Sequence, residues 1–312
     1  MRPHRRSQHG MAVVAALVVV MVATVLVTGL LQRQATDVRA LGNEMARAQA
    51  RLLMTAGVDW ARLILRSDGL RTAVTTRQGQ MWATPIEDTR VALDGDRTAV
   101  LSGRIEDEQG KFNLRNLAQN GAVRDDDITA LRRLLPLLDL PEGLAAFVAA
   151  RIAAAQRDPG TASQDDEPAR SARLPAAPMP TRLDDLGHME VLGPAAIAAL
   201  RPHVTLLPER TDVNVNTATP EVLAALTGLP LPAMRGVAAQ RDAGQTFNDA
   251  AGFWLRIESI GVTSAKPNVV VNSNWFLVKG AVTLERAVVG TEALLQRGAA
   301  PSPEIVWIRE LP

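Results

Sequence analysis

Hydrophobic positions are spread very unevenly along this chain. Met11 to Leu31, MAVVAALVVVMVATVLVTGLL, holds no charged residue. A helix rising ~1.5 Å per residue over that stretch reaches ~32 Å, close to the ~30 Å hydrocarbon core of a bilayer. Within a helix its backbone donors and acceptors satisfy one another, as lipid demands. Arg2, Arg5 and Arg6 precede it, and the positive-inside bias then keeps the N-terminus cytoplasmic. After Leu31 the pattern becomes amphipathic. Leu41, Met45, Ala48, Leu52 and Ala56 recur at spacings of three and four, and Leu63 prolongs the stripe less regularly. One helix is therefore expected from Met11 to Ser67, stopped by Ser67, Asp68 and Gly69. A cleaved secretory signal is the competing reading. Its apolar core would be shorter and would not run on into a second helical period.

Beyond the helix the period changes. Short apolar segments follow at Trp82-Ala83, Val91 to Leu93 and Ala99 to Ile105; Asp94-Gly95-Asp96 separates the last two as a hairpin turn, and Pro85 argues against a regular central strand through that point. Phe112, Leu114 and Leu117 are expected in the core, with Gly110 supplying a turn and Asn113 and Asn116 tying it to backbone groups. Helical patterns follow. One is capped by Asp127 and carries Ile128, Leu131, Leu134 and Leu135; Pro136 kinks or ends it. Another opens at Pro141-Glu142 and places Leu144, Phe147, Val148 and Ile152 on one face. Residues 157 to 182 lack periodicity and read as an exposed loop. Leu183 to Leu200 reads as helix, turn at Gly193-Pro194, then helix. Thr219 is an N-cap, Pro220 takes the first helical position, Glu221 favours the positive end, and Gly228 suits a left-handed stop. A further helix covers Ala233 to Arg241. From Val269 strands return, over Ser273 to Gly290, Glu292 to Arg297 and Ile305 to Arg309.

Composition narrows the function. The 34 basic and 33 acidic residues nearly cancel, giving no bulk attraction to nucleic acid. With no Cys there is no disulfide or thiolate metal site, and the four His are scattered. No phosphate loop and no nucleophile paired with a base is visible. An enzyme is not the reading. Asp165, Asp166 and Glu167 raise a calcium site, because calcium takes several oxygen ligands from a loop.

The junction at Gly10-Met11, between a basic leader and a retained apolar helix, resembles a type IV prepilin signal. Cleavage after Gly10 would make Met11 the first mature residue. That family pattern has Glu as its fifth mature residue, and this chain has Ala15. A carboxylate there is costly in lipid unless paired, and a subunit with nothing above it has no need of one. The departure points to a filament tip. The segment GKFNLRNL, from Gly110 to Leu117, closely resembles the GK-(F/I)-N-L-N-x-L of the K minor pseudopilins of type II secretion, with Arg115 in place of the second Asn. VNVNTA, from Val213 to Ala218, and the strand start Ser273-Asn274-Trp275-Phe276 resemble the same family, with Trp275 in place of Tyr.

The resemblance implies an α+β pseudopilin. Residues 1–10 are the leader, 11–67 the transmembrane and extended helix, 68–111 the first part of the α/β domain, 112–268 an inserted helical domain, and 269–312 the second part of the sheet. It implies an inner-membrane protein with a periplasmic domain at the pseudopilus tip. Its partners would be minor pseudopilins I and J, other pseudopilins, the prepilin peptidase and inner-membrane lipid. It also implies calcium on an acidic loop. Two of that loop's Asp positions are Ala153 and Ala155 here, leaving Asp165 and Asp166 as matches. VNVNTATPEVLAAL also resembles the helix-hairpin-helix of DNA-binding modules. There, hairpin N–H groups receive phosphate. In Gly228-Leu229-Pro230 and Leu192-Gly193-Pro194 the proline has no N–H to give, so a packing scaffold is favoured over a nucleic-acid site. A membrane-anchored adaptor outside the filament is the remaining alternative.

Overall fold

The computed structural model describes residues 9–71, 75–94, 97–158, 160, 173–187, 192–261, 266–298, 300 and 302–311. Helix α1 (His9–Arg71) is continuous through both sequence periods. It passes the expected stop at Ser67–Gly69 because Asp68 is buried there, facing Arg297 at 3.2 Å. Its 63 residues extend over ~95 Å.

The strands that follow are β1 (Ile86–Ala92), β2 (Thr98–Asp107), β3 (Phe112–Asn113), β4 (Ala118–Gln119) and β5 (Ala122–Val123). The helices α2 (Asp125–Leu137), α3 (Leu144–Ala154) and α4 (Pro194–Leu200) come next. After them come β6 (Val204–Thr205), β7 (Val213–Asn214), α5 (Pro220–Thr227), α6 (Leu231–Asp242) and α7 (Ala250–Glu258). The chain closes with β8 (Val269–Val270), β9 (Trp275–Leu284), β10 (Ala287–Gln296) and β11 (Glu304–Leu311).

The main sheet has the order β1-β2-β9-β10-β11 and is antiparallel throughout. β2 and β9 are neighbours in space although the helical insertion separates them in sequence. Alternation along the strands gives each face its own partner. Phe276, Val278, Val282 and Leu284 face α1, while Trp275 and Leu294 meet Leu207 of the insertion on the other side. The insertion has its own core, in which Phe112, Leu114, Leu131, Leu134, Leu223 and Phe253 are all buried.

Several expectations are corrected. The apolar pair Trp82-Ala83 forms a 3₁₀ turn at Met81–Ala83, whose Trp82 is buried edge-on to Phe276, ring centroids 5.5 Å apart. The hairpin at Asp94-Gly95-Asp96 lies partly outside the described residues. Ser273 to Gly290 spans two strands that turn at Glu285-Arg286, with Glu285 at φ 55°, and Glu292 to Gln296 belongs to the second of them rather than to another strand. Asp127 does not cap α2. The helix starts at Asp125, all three acids occupy its first turn, and Arg124 Nε donates to Asp127 at 2.9 Å. Carboxylates there meet the positive end of the helix dipole. Phe147 is 53% exposed rather than part of the core face of α3. The stretch from Leu183 opens as a 3₁₀ turn at Leu183–Leu186 before α4.

Other local readings hold. Thr219 accepts from Val222 N–H at 3.4 Å, Pro220 opens α5, and Gly228 ends it at φ +72°. Asn113 accepts from Arg115 N–H at 3.0 Å and donates to the Glu209 carbonyl at 2.8 Å. Asn116 pairs with the backbone of Thr211 in both directions.

Gly110 is required by close approach rather than by turn geometry. A Cβ there would lie 2.8 Å from Thr217 Oγ1 and 3.0 Å from the Thr217 carbonyl. We expect Gly110→Ala to cost about 1–3 kcal/mol, since backbone must move to admit the methyl group. Thermal unfolding of the full-length chain in micelles checks this; an unchanged midpoint contradicts it.

Candidate assembly surface

Two apolar stripes run along the outer half of α1. The first, Ala46, Ala50, Met54, Val58, Ala61 and Leu65, packs on the chain's own sheet and is buried. At 3.6 residues per turn it lies about 180° from the stripe read from the sequence. That second stripe is bare. Leu41 is 64%, Met45 58%, Leu52 71% and Leu63 57% exposed, and Ala48 and Ala56 are exposed as well. Val38 extends it toward the membrane half. An apolar row on a surface, here broken by the exposed Asp59 between Ala56 and Leu63, marks a protein contact.

The neighbouring sheet edge continues this surface. β11 leaves Ile305, Val306 and Ile308 exposed, and it is tied to α1 by Arg51–Glu310 at 2.9 Å and by Arg62 Nε donating to the Pro303 carbonyl at 2.8 Å. The opposite edge is guarded. β1 shows Glu87, Asp88 and Arg90 to solvent and bulges between Ile86 and Thr89.

The inner half of α1 is apolar and uncovered from Val13 to Leu31, and the helix is long and apolar enough to cross a membrane. Gly10 lies within α1; Met11, Ala15 and Leu31 are all exposed on it. Thr24 and Thr28 satisfy their hydroxyls on carbonyls one turn back, so neither presents an unpaired donor to lipid.

On the other face of the sheet an ionic row borders an open cleft of about 500 Å³. Arg104, Lys111 and Lys279 all reach Glu106, at 2.7, 3.3 and 3.0 Å. Lys111 also meets Glu108 at 2.5 Å, whose other oxygen accepts from the Thr205 hydroxyl. Burial alone would raise the Glu106 carboxyl. The charge of Lys111 and the hydrogen bonds from Arg104 and Lys279 outweigh it and hold Glu106 down at about 2. A carboxyl depressed on folding stabilises the fold above its ordinary value and loses that contribution as pH falls through the depressed value. The wild type should therefore lose more stability than Glu106→Gln between pH 4.5 and about 2. Parallel acid limbs in pH-dependent thermal unfolding would contradict this.

Asp165 and Asp166 lie outside the described residues. Ala153 and Ala155 offer no side-chain oxygen, and among the described residues no group of three acids or histidines could hold a metal. His203 is structural: Nδ1 lies 2.9 Å from the Thr219 hydroxyl, and burial lowers its pKa. The helix-hairpin-helix element exists as α5 and α6, but Val222 to Thr227 are all buried, which makes α5 a packing core.

The sheet-facing stripe was not read from the sequence, although Ala46, Ala50, Met54, Val58, Ala61 and Leu65 also recur at threes and fours. Alanine carries little hydrophobic signal. It does let helix and sheet approach closely.

A long apolar helix laid on an antiparallel sheet, with a helical domain inserted between neighbouring strands, defines an α+β pseudopilin. Family models described as type II secretion system (T2SS), protein K match residues 110–209 and 213–272, together just over half the chain. The type II secretion system protein K of Pseudomonas aeruginosa is 29% identical over 306 residues, covering 94% of this chain and 90% of that protein. The Klebsiella pneumoniae protein K is 26% identical, with 93% of each chain covered. A chain of the crystal structure of the GspK-GspI-GspJ complex from enterotoxigenic Escherichia coli superposes with a TM-score of 0.65 at 17% identity. The match covers 86% of this chain and 98% of that one. The chain belongs to the type II secretion system protein K family.

Proposed function

We propose that this chain is the minor pseudopilin that caps the type II secretion pseudopilus. There it helps start filament assembly and the export of folded periplasmic proteins across the outer membrane. The observation that carries this reading is the bare stripe on α1, opposite the stripe that its own sheet covers. A helix so built has room for helices of other subunits. Bulk concentrated beyond the sheet, in the insertion, suits a subunit with nothing above it. Ala15 supports the same position, since it offers no carboxylate to the amine of an incoming subunit. Minor pseudopilins I and J are the proposed partners, by likeness to the complex of that composition. The N-terminus would stay in the cytoplasm and the domain beyond α1 would lie in the periplasm. The chain itself performs no chemistry. It is the substrate of the prepilin peptidase, which cleaves after Gly10 and methylates Met11.

Intact-mass measurement of membrane-extracted protein should show loss of the first ten residues. Cleavage beyond Leu31 contradicts the anchor. The function itself is tested in cells lacking this chain. Secretion should fail, and the wild-type chain should restore it. Normal secretion without the chain removes the tip assignment and favours a membrane adaptor outside the filament. Saturable, salt-sensitive DNA binding would favour the helix-hairpin-helix alternative.

A further inference from the structure

The sheet and the insertion keep separate cores, and among the described residues their shared apolar cluster is small: Leu207 against Trp275 and Leu294, with Trp307 beside them. The backbone crosses between them twice, once after β2 and once before β9. Both crossings meet at one buried side chain. Asp107 is the last residue of β2. Its Oδ1 accepts from the Gln109 N–H at 2.9 Å. Its Oδ2 accepts from the Ser273 hydroxyl at 2.6 Å, the Thr217 hydroxyl at 2.5 Å and the Asn214 amide at 3.2 Å. Ser273 belongs to the returning strand connection, and Asn214 and Thr217 belong to the insertion.

The surrounding bonds extend this junction to α1. Asn214 Nδ2 also reaches the Thr76 carbonyl at 3.0 Å and Ser273 Oγ at 2.8 Å. Ser273 N–H donates to the Thr76 hydroxyl at 3.1 Å. Arg297 donates to that hydroxyl at 2.8 Å and to the Ser273 carbonyl at 2.7 Å, and it pairs with Asp68 at the end of α1. Burial pushes the Asp107 carboxyl up, against the pull of its four donors.

We infer that Asp107 is a clasp that fixes the helical insertion at one angle to the sheet. Apolar patches let surfaces slide, whereas bonds to a carboxylate are directional and strong where water is excluded. Here one carboxylate binds two chain segments besides its own turn. Without it, each core keeps its packing but the joint between them loosens. Rigid presentation of the insertion relative to α1 then depends on a residue that belongs to neither core.

The chain has no Cys, so two introduced cysteines give unique reporters. Thr283→Cys in β9 and Ala239→Cys in α6 are both exposed. Spin labels on these sites of the full-length chain in micelles should show a single narrow distance. Asp107→Leu should broaden that distribution. Amide exchange around residues 214–217 and 269–273 should also quicken by about tenfold or more, as strong bonds are lost locally. Should Asp107→Leu fail to fold, the double variant Ser273→Ala, Thr217→Val removes two donors and leaves the carboxylate in place. It should widen the same distance. An unchanged narrow distance and unchanged exchange in the folded variant overturn the proposal.

Discussion

A chain carrying Leu52→Glu and Leu63→Glu should fold as the wild type does yet fail to join partner pseudopilins. Both side chains are more than half exposed, so stability should change by no more than about 0.5 kcal/mol. In an assembled tip the same positions would bury two carboxylates against apolar helices. An unpaired buried charge costs several kcal/mol, and one such charge is enough to prevent a helix contact. Co-purification from membranes should fall at least about 100-fold, and secretion should drop with it. The control is Met54→Glu on the sheet-facing stripe. There the fold itself should weaken, because Met54 is 3% exposed among Ala50, Val282 and Leu284. Undiminished association of the double variant would show that partners use another surface.

The second large effect lies inside the insertion. Arg241 is 5% exposed, and its Nη1 donates to the carbonyls of Val215 at 3.0 Å and Ala218 at 2.6 Å. Its Nε donates to Asp242 at 2.9 Å. Arg241→Met fills similar space but leaves two buried carbonyls without a donor. The expected loss is about 3 kcal/mol. For a domain of this size that lowers the melting midpoint by roughly 6–12 °C. A shift under about 2 °C would mean that water or another side chain takes over both carbonyls. The residue matters because those carbonyls lead into α5, the buried element at the centre of the insertion.

What the sequence revealed followed from how local each signal is. The apolar run from Met11, the Thr219-Pro220-Glu221 start of α5 and its Gly228 stop are contained within one turn or one helix. Asn113 is local only in accepting from the Arg115 N–H; its bond to Glu209 and those of Asn116 to Thr211 reach a distant segment that no local signal names. The bare stripe was legible because Leu41, Met45, Leu52 and Leu63 are strong hydrophobes. That signal could not say whether the chain's own sheet or another protein covers them; the structure shows the sheet on the Ala46–Leu65 stripe instead. The turn at Glu285-Arg286 carries no Gly, Asn or Pro, so nothing local announced it. The junction at Asp107 was invisible for a different reason. Its partners Thr217 and Ser273 are distant in sequence and meet only in the folded chain.

The composition of the assembled tip is the most direct test of the capping role. Full-length chain would be produced in membranes with minor pseudopilins I and J and the prepilin peptidase, extracted in detergent and weighed intact by mass spectrometry. The expected species is a one-to-one-to-one complex in which this chain begins at Met11. Leu52→Glu, Leu63→Glu should reduce it to the lone processed chain. A wild-type chain that remains alone in the presence of both partners, folded and correctly processed, would contradict the central claim.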